Sequence, residues 1–523
     1  MQEDLQRLSQ LLGNTAIGQD MPGEIRKSLT TGLGWAGVNL EEAVKLMLPL
    51  YAGLRAWLPV DTPTRGGATA NYKLMLGPGS WNKSTAMGTA AGAVGQAVVS
   101  STIEIDASYC TQAVQAEVQW EAIPQAKAFS DPLQDEMCIS LTDLLQLEEL
   151  TLLYGNNAVI ANPVPAFSNV GSGSYTPPAK VWVTAITGQG ALANKTVDAL
   201  VASNIKLGET IGATGCSPTQ STCLKCQISW PAIPGALGYK VYMGAAFATA
   251  TLVDPNAMFY PSTSTTAMGD PIVVTGGQSY VTVTKIELNA TSGSSSGTVG
   301  SYANVGAGGD TNHYHPTADG TAQANVFEGC LAMAQKHTIY GQDIGTYQGT
   351  YDCQGSKLTT KGSGITEFDN ILGPMWQTWH IGPQLIIGST NTVASITDQL
   401  VAANSAALFR LDVTNDRGGF TGGLYVGGYL NKFAASMVPA QNAVVPIWAH
   451  PYMEDGTVIM LTRNVPYTYS KERRGFAIDC QTPYTYFELA RSTRTFPYSN
   501  FYTETLKCYH PPAQATIVGA RVA

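Results

Sequence analysis

Charge is scarce in this sequence of 523 residues. Charged side chains make up 13% of the chain, no arginine lies between Arg65 and Arg410, and the net charge is −9. A general nucleic-acid-binding protein needs a basic surface, so this balance argues against that class. The scarcity is most simply explained if much of the surface is buried against other subunits, although a β-rich protein with Ser, Thr, Asn and Gln on its faces would have a similar composition.

Long apolar runs and paired cysteines are lacking as well. No run of about 18 apolar residues is present, so we expect no membrane-spanning helix. The polar start, MQEDLQRLSQLLGN, is unlike a signal peptide. The nine cysteines are odd in number and include one close pair, Cys223 and Cys226. This pattern predicts reduced, mostly buried thiols in a protein that assembles in a cytosol, rather than a disulfide framework.

Histidine is too sparse to build a convincing metal site. His313 and His315 would face the same way in a strand, and the nearby third ligands are limited to Asp310 and Asp319. We therefore interpret this segment as a loop without a metal.

Other motifs have structural interpretations too. Cys216 precedes the close cysteine pair in a C-x6-C-x2-C pattern that lacks a fourth zinc ligand. Residues 293–297 match G-x-S-x-G in form, but no strand precedes them and no helix follows. Residues 471–474 are interpreted as solvated charge or an intersubunit ion pair rather than a DNA-facing patch, and His450 and His510 as packed or hydrogen-bonded. The sequence thus predicts no catalytic, cofactor-binding or metal-ligating residues and no cofactor.

A long helix is the clearest element that the sequence does contain. Residues 129–157 predict roughly six to seven helical turns, begun by Asp131 as N-cap and Pro132 at the first position. Gly155 and Asn156 predict a left-handed stop. The apolar positions expected on one side are Leu133, Met137, Leu141, Leu144, Leu145 and Leu152. Apolar residues on a second side favour a central helix over a surface helix.

Two strand patterns precede this helix in the sequence. Residues 72–76 and 102–106 predict two strands around a Gly/Ala/Ser/Thr-rich run, which is typical of a long hairpin. Helices are expected at 41–57 and 322–337, and an α/β unit at 364–400.

A low-charge β-rich block follows the long helix, between Pro/Gly-rich and Gly/Ser-rich linkers. Within it, residues 224–244 resemble the fibronectin type III or immunoglobulin-like pattern. The residues that carry this resemblance are Ile228, Trp230, the turn 231–235, Gly238, Tyr239, Val241 and Tyr242. We expect an inserted β-sandwich, and we expect deletion of 170–305 to leave the rest of the chain able to assemble.

Outside this block, the order of segments resembles the major capsid proteins of tailed bacteriophages with the Hong Kong 97 fold. The segments that carry the resemblance, besides the hairpin and the long helix, are 364–372, 383–400, 417–429, 446–467 and 484–506. The resemblance implies an α+β fold in five parts: N-terminal arm 1–65, extended β-hairpin loop 66–110, peripheral-domain helix region 111–165, inserted immunoglobulin-like β-sandwich 166–309, and axial domain with return to the peripheral domain 310–523.

The same resemblance implies a structural role and no enzymatic one. It implies a shell subunit whose copies form hexamers and pentamers around the phage genome, in the virion, after assembly in the host bacterial cytoplasm. Implied partners are a portal, scaffold or decoration proteins, and packaged DNA without sequence preference, with no membrane. Some relatives crosslink Lys to Asn between subunits, and Lys73 or Lys83 could be imagined in that role, but no partner is identified.

Two rival functions remain open at the level of sequence. A tail or baseplate adhesin with an immunoglobulin-like module would form elongated trimers, but it leaves the long helix unexplained. A β-rich hydrolase would need converging acid, base or nucleophile residues, and the sequence shows no such set.

Overall fold

The computed structural model describes a large part of the chain. The described residues are 52–62, 67–75, 102–126, 131–175, 178–190, 200–201, 205–206, 208–212, 214–218, 221–231, 233–252, 257–261, 272–273, 279–283, 285–289, 299–303, 319–322, 325–335, 338–344, 349–353, 357–361, 364–403, 426–435, 444–466, 472–491 and 494–520. The predicted arm up to residue 51, the tip of the hairpin loop, Lys83, Asp310, His313 and His315 lie outside them. So does the Gly/Ser-rich tract, apart from residues 299–303, which form a strand instead of the predicted linker.

Seven α-helices occur in these residues, with two short 3-10 turns at Phe247–Thr249 and Pro511–Ala513. The helices are α1 Gly53–Trp57, α2 Ala122–Ala126, α3 Pro132–Tyr154, α4 Cys330–Gln335, α5 Thr366–Trp379, α6 Thr390–Ala403 and α7 Lys432–Ala435.

The strands of the first part of the chain are β1 Val60–Asp61, β2 Thr69–Met75, β3 Thr102–Ser108, β4 Cys110–Gln119, β5 Ala166–Tyr175, β6 Lys180–Ile186, β7 Leu200–Val201, β8 Ile205–Lys206, β9 Cys223–Ser229, β10 Gly238–Gly244, β11 Thr251–Leu252, β12 Ala257–Pro261, β13 Ile272–Val273 and β14 Ser279–Val283. Those of the second part are β15 Lys285–Asn289, β16 Val299–Ala303, β17 Thr338–Ile339, β18 Gln342–Asp343, β19 Gly349–Asp352, β20 Thr360–Lys361, β21 Gly364–Ile365, β22 Leu385–Gly388, β23 Gly428–Leu430, β24 Val444–Ala449, β25 Val458–Leu461, β26 Phe476–Glu488, β27 Thr495–Cys508 and β28 Ala515–Val518.

These strands form four larger sheets and four two-stranded ones. The larger sheets have the orders β1-β26-β27-β4, β16-β15-β9-β5, β19-β28-β25-β22-β24-β23, and β11-β10-β12-β14-β13 with β6 also paired to β10. The two-stranded sheets are β2-β3, β7-β8, β17-β18 and β20-β21. Helices and mixed sheets alternate without a regular βαβ order, so the predicted α+β class is confirmed.

The chain divides into two compact units. The first comprises residues 1–49, 116–140 and 488–498, and the second comprises the remainder. The second unit contains two large clusters of buried apolar side chains. One cluster lies around β22, β25 and β28 together with α5 and α6, and the other joins α1, the end of α3, β6, β10 and α4.

The long helix begins and ends almost where the sequence predicts, but its end has a different cause. The Asp131 carboxylate accepts a hydrogen bond from the backbone N–H of Leu133 at 3.1 Å, as expected of an N-cap. Gly155 does not adopt a positive φ, so the predicted left-handed stop is wrong. Glycine is needed there because a Cβ would lie 2.3 Å from the carbonyl oxygen of Phe327.

The predicted apolar side of this helix is only partly buried. Leu144 and Leu152 are fully buried, whereas Met137 and Leu141 are 38% and 39% exposed. The central helix that the sequence favours is therefore buried only in its second half.

The helix predicted at 322–337 is also shorter than expected. It is α4, and the residues before it pair with other elements instead of forming helical hydrogen bonds. The Gly329 N–H donates to the carbonyl oxygen of Gly155 at 2.8 Å, and Asn157 Nδ2 donates to the carbonyl oxygen of Val326 at 2.9 Å. Of the helix predicted at 41–57, the described part is α1.

The hairpin and the α/β unit are present. Strands β2 and β3 pair antiparallel from Thr69 with Ser108 to Met75 with Thr102. In the α/β unit, α5, β22 and α6 follow one another, and the Ser389 hydroxyl oxygen accepts a hydrogen bond from the Thr392 N–H at 3.0 Å at the start of α6.

The β-rich block forms two sheets, with β9 in one and β10 in the other. Trp230 and Tyr239 are buried, with ring centroids 5.8 Å apart, as the sequence pattern implies. However, β12 pairs parallel with β14, and β15 pairs parallel with β16, unlike the antiparallel sheets of an immunoglobulin-like sandwich. The immunoglobulin-like topology therefore stays a prediction.

The block is not separated from the rest of its unit. A Cβ on Gly188 would lie 2.4 Å from the Tyr154 ring and 2.9 Å from Leu331, so these elements are in close contact. The Gly208 N–H donates to the Gly320 carbonyl oxygen at 2.8 Å, while Gln335 Nε2 donates to a backbone oxygen of the block at 3.2 Å.

Candidate functional site

The last two turns of α3 contain two consecutive buried carboxylates, Glu148 and Glu149. Both residues are completely buried, and no lysine or arginine occurs anywhere in α3. Each carboxylate must therefore find its partners on other elements, because an unpaired buried charge is strongly destabilising.

Glu149 fastens α1 to the long helix. Its Oε1 and Oε2 accept hydrogen bonds from the backbone N–H groups of Leu54 at 2.7 Å and Arg55 at 3.0 Å. His450 Nε2 lies 3.0 Å from Oε1 of the same carboxylate. Because His450 Nδ1 accepts the N–H of Tyr452 at 3.2 Å, the ring proton lies on Nε2 and is donated to Glu149.

Glu148 is paired with the side chain of Arg55 and with a tyrosine. The Arg55 Nε lies against Glu148 Oε1, and the Tyr484 hydroxyl donates to Glu148 Oε2. Burial, followed by the neighbouring Glu148, raises the pKa of Tyr484. α1 is thus held through its backbone by one carboxylate and through its side chain by the next.

A third carboxylate, Glu504 on β27, faces the same cluster and is 1% exposed. Burial, and after it the neighbouring Glu148, raises the pKa of Glu504 from its ordinary value of 4.5 to about 9. Arg55 acts in the opposite direction but is shared with Glu148. Burial raises the pKa of Glu148 too, so two carboxylates beside one cation keep one proton between them at neutral pH, and the higher pKa of the pair is that of Glu504.

Neutral polar groups extend the cluster. The Tyr502 hydroxyl donates to Gln112 Oε1, Gln112 Nε2 donates to Thr151 Oγ1 at 2.7 Å, and the Thr151 hydroxyl donates to the Leu147 carbonyl oxygen at 2.8 Å. Burial raises the pKa of Tyr502. The chain of bonds joins β27, β4 and α3 without an exposed nucleophile or base, so the cluster can position elements but offers no open reaction site.

The strand after α1 is held by the basic loop. Arg474 Nη1 pairs with Asp61, and its Nη2 lies 2.7 Å from Glu472 Oε2. The hydrogen bond from Arg474 holds the pKa of Glu472 below its ordinary value. β1 runs parallel to β26, with Val60 opposite Ile478. The loop's Arg474 therefore acts within the subunit, rather than as solvated charge or an intersubunit ion pair.

An exposed surface of different chemistry lies in the first unit. Trp120 is 56% exposed and stacks on Phe496, with centroids 5.2 Å apart. The Arg491 guanidinium lies 3.9 Å from the Phe496 ring centroid, and the Arg494 side chain is 87% exposed. We call these four residues the arginine–tryptophan surface. The sequence did not predict this surface, because Trp120 and the two arginines come from distant segments of the chain.

The other residues singled out in the sequence are not brought together. Lys73 lies on β2, Asp319 accepts the N–H of Thr321 at 2.8 Å, and His510 Nε2 lies 3.4 Å from a backbone oxygen, with its pKa lowered by burial. Seven of the described cysteines are thiols outside any disulfide, of which four are buried and Cys138 is exposed. The side chains of Cys223 and Cys226 lie outside the described part of the structure.

Two kinds of feature are absent from the described residues. They contain no group of three or more His, Cys, Asp or Glu side chains placed to hold a metal ion. Nor do they contain a helix of sufficient length and apolarity to cross a membrane.

Comparisons with known proteins found matches among solved structures. No protein-family model matches it, and no curated protein matches its sequence. Solved structures that cover most of it are phage capsids and related particles. The cyanophage A-1(L) capsid has 9% identity and a TM-score of 0.42, over 92% of this chain and 97% of that chain. The Myoviridae phage XM1 capsid has 7% identity and a TM-score of 0.36, over 92% and 96%. The capsid of a native GTA particle has 8% identity and a TM-score of 0.37, over 94% and 98%. All three TM-scores lie below 0.5, so the function is inferred below from this chain's own residues.

Proposed function

We propose that the chain is a major capsid protein, a shell subunit that assembles with its own copies into hexamers and pentamers around a phage genome. The observation that carries this proposal is the exposed apolar surface of the second unit. Its members include Leu141 and Leu147 on α3, Val159 and Val164 after it, and Tyr486 and Phe487 on β26, each between 39% and 64% exposed.

This surface fits burial by neighbouring subunits. Large apolar side chains that stay exposed on a long helix, and on a long strand of the same unit, are available for contacts with other subunits. The low charge of the chain agrees, because contacts between subunits exclude charge from their centres. The buried end of α3 then packs within the subunit, and its exposed first part would contact neighbouring subunits.

The remaining partners follow from the same role. A shell subunit of this kind would belong to the virion and be assembled in the bacterial cytoplasm. A portal and scaffold or decoration proteins would complete the shell. The net charge of −9 would keep contact with packaged DNA weak, which lets the genome move during packaging. No enzymatic activity is proposed.

The test is electron microscopy and size-exclusion chromatography of the purified full chain. Closed shells, or rings of five and six subunits, are expected. Elongated trimers or rods would favour an adhesin instead. A stable monomer at all protein concentrations, with co-expressed scaffold included, would contradict the proposal.

A further inference from the structure

Backbone hydrogen bonds hold the segments that form the arginine–tryptophan surface. Strand β4 ends at Gln119, and the next N–H, of Trp120, donates to the Arg494 carbonyl oxygen at 2.8 Å. Across the turn, the Leu489 N–H donates to the Pro497 carbonyl oxygen at 3.0 Å. These bonds fix the backbone from which both arginines project. The resulting open groove measures about 340 Å³ and is lined by Trp120, Glu121, Arg491, Arg494, Thr495 and Phe496.

The composition of this groove is that of a protein interface. Tryptophan and arginine are the residues most enriched among those that dominate binding energy. Arg491 is held over an aromatic ring, which orders its guanidinium while leaving its N–H groups able to bind a carboxylate. An exposed tryptophan beside two arginines thus offers both an apolar contact and two anion-binding groups.

A nucleic acid fits this groove less well than a protein does. Glu121 Oε1 lies 3.7 Å from Arg494 Nη1 and offsets part of its charge, which weakens the binding of a polyanion more than that of a protein surface, because nucleic-acid binding depends mainly on charge. One ring face of Trp120 is already covered by Phe496, which leaves less aromatic surface for stacked bases.

The same unit contains a surface of opposite charge. Asp131 and Asp135, one helical turn apart at the start of α3, are exposed and half-buried respectively, and Met137 beside them is 38% exposed. We call these three residues the acidic helix start. With no lysine or arginine in α3, its carboxylates have no cation of their own helix to pair with. Carboxylates next to an apolar side chain complement arginines next to a tryptophan.

We propose that the arginine–tryptophan surface of one subunit binds the acidic helix start of a neighbouring copy. The two surfaces differ, so the contact is heterologous and propagates around a ring, unlike a two-fold contact that ends at a dimer. This inference rests on the proposed self-assembly and names the surfaces that would perform it.

The test uses charge reversal in the full chain. One variant carries R491E and R494E, and a second carries D131N and D135K, in which the introduced asparagine side chain keeps a capping oxygen. Each is expected to raise the protein concentration needed for assembly by about tenfold or more. A chain with all four substitutions places one cation opposite two carboxylates and is expected to recover part of the loss. The control, K357E with K361E, changes exposed lysines elsewhere and should assemble normally.

Several outcomes would overturn the inference. If wild-type shells form and both reversal variants assemble like the control, the contact does not exist. If R491E with R494E assembles normally but loses binding to a single-stranded oligonucleotide, the surface binds nucleic acid. If the combined chain is no better than the separate variants, another segment occupies the groove. Failure of the wild type to form any assembly would instead count against the proposed function. Circular dichroism of each variant excludes misfolding.

Discussion

At the scale of single residues, the proton on Glu504 is the most informative feature of the buried cluster. An acid with a pKa of about 9 in the folded state and an ordinary value of 4.5 when unfolded binds its proton more tightly in the folded protein. Between these pH values the folded state holds one proton more than the unfolded state. The free energy of unfolding must therefore fall as pH rises through this window.

The substitution Glu504→Gln tests this assignment. The amide mimics the protonated acid, so stability near pH 4 should change by less than about 1 kcal/mol, whereas at pH 7 the variant should be more stable than the wild type because it loses no proton on unfolding. The decrease in stability between about pH 5 and pH 9 should become shallower than in the wild type, where one proton contributes up to about 1.4 kcal/mol per pH unit. Urea unfolding at several pH values measures both. Parallel pH profiles would contradict a proton on Glu504.

Glycine substitutions test the close packing at the end of α3. In Gly329→Ala, the new Cβ would lie 2.7 Å from the Gly155 nitrogen and 2.8 Å from the Thr151 carbonyl oxygen, so backbone segments must separate. We expect a loss of about 1–3 kcal/mol. Gly373→Ala is the matched control, because its Cβ meets Phe433 at an ordinary 3.5 Å inside α5. The helical gain from alanine is offset there by the following Pro374, so stability should change by less than about 1 kcal/mol. Thermal melts of both variants give the comparison.

At the scale of elements, the start of α3 is determined by local residues, whereas its end is determined by partners that are distant in the sequence. Its start could be predicted because Asp131 and Pro132 act locally on the first turn. Its buried carboxylates could not, because the partners of Glu149 lie 95 and 301 positions away in the sequence. Adjacent acids in an apolar helix were the only available signal. Gly155 could likewise be recognised as a helix end from its local sequence. The close approach of Phe327, which requires glycine there, could not be recognised because that residue is distant in the sequence.

The attachment of α1 depends on Glu149 more than on any local propensity, since a five-residue helix is unstable by itself. Glu149→Ala would leave the Leu54 and Arg55 N–H groups and His450 without this acceptor. We expect a loss of about 2–4 kcal/mol and faster hydrogen exchange at Leu54 and Arg55. Asp143→Ala, at an exposed position of the same helix, is the control and should leave both unchanged. Equal exchange in the two variants would show that α1 is held by packing instead.

At the scale of the whole molecule, the α+β class and the order of hairpin, long helix and α/β unit were predictable because each depends on local periodicity. The sequence did not reveal that the β-rich block shares a core with the rest of its unit. Its Pro/Gly-rich and Gly/Ser-rich flanks indicated linkers, yet parts of both flanks form the strands β5 and β16. In addition, Val183 and Tyr239 belong to the same buried cluster as Leu331 outside the block. A change in composition indicates a possible domain boundary, but only three-dimensional packing shows which residues share a core.

Deletion of 170–305 with a short linker should therefore fail, contrary to the expectation from sequence. It would remove β6 and β10 and expose Tyr154 and Leu331, which are otherwise 4% and 3% exposed. The lost burial should exceed about 5 kcal/mol, the stability of many whole domains, so the remaining chain should be insoluble and form no shells. Residues 166–309 expressed alone should likewise lack a cooperative thermal transition, because part of their core is supplied by the rest of the unit. Shells from the deleted chain, together with a cooperatively folding fragment, would instead establish the block as an autonomous domain, and the contacts at Gly188 and Gly208 would then be those of a docked module.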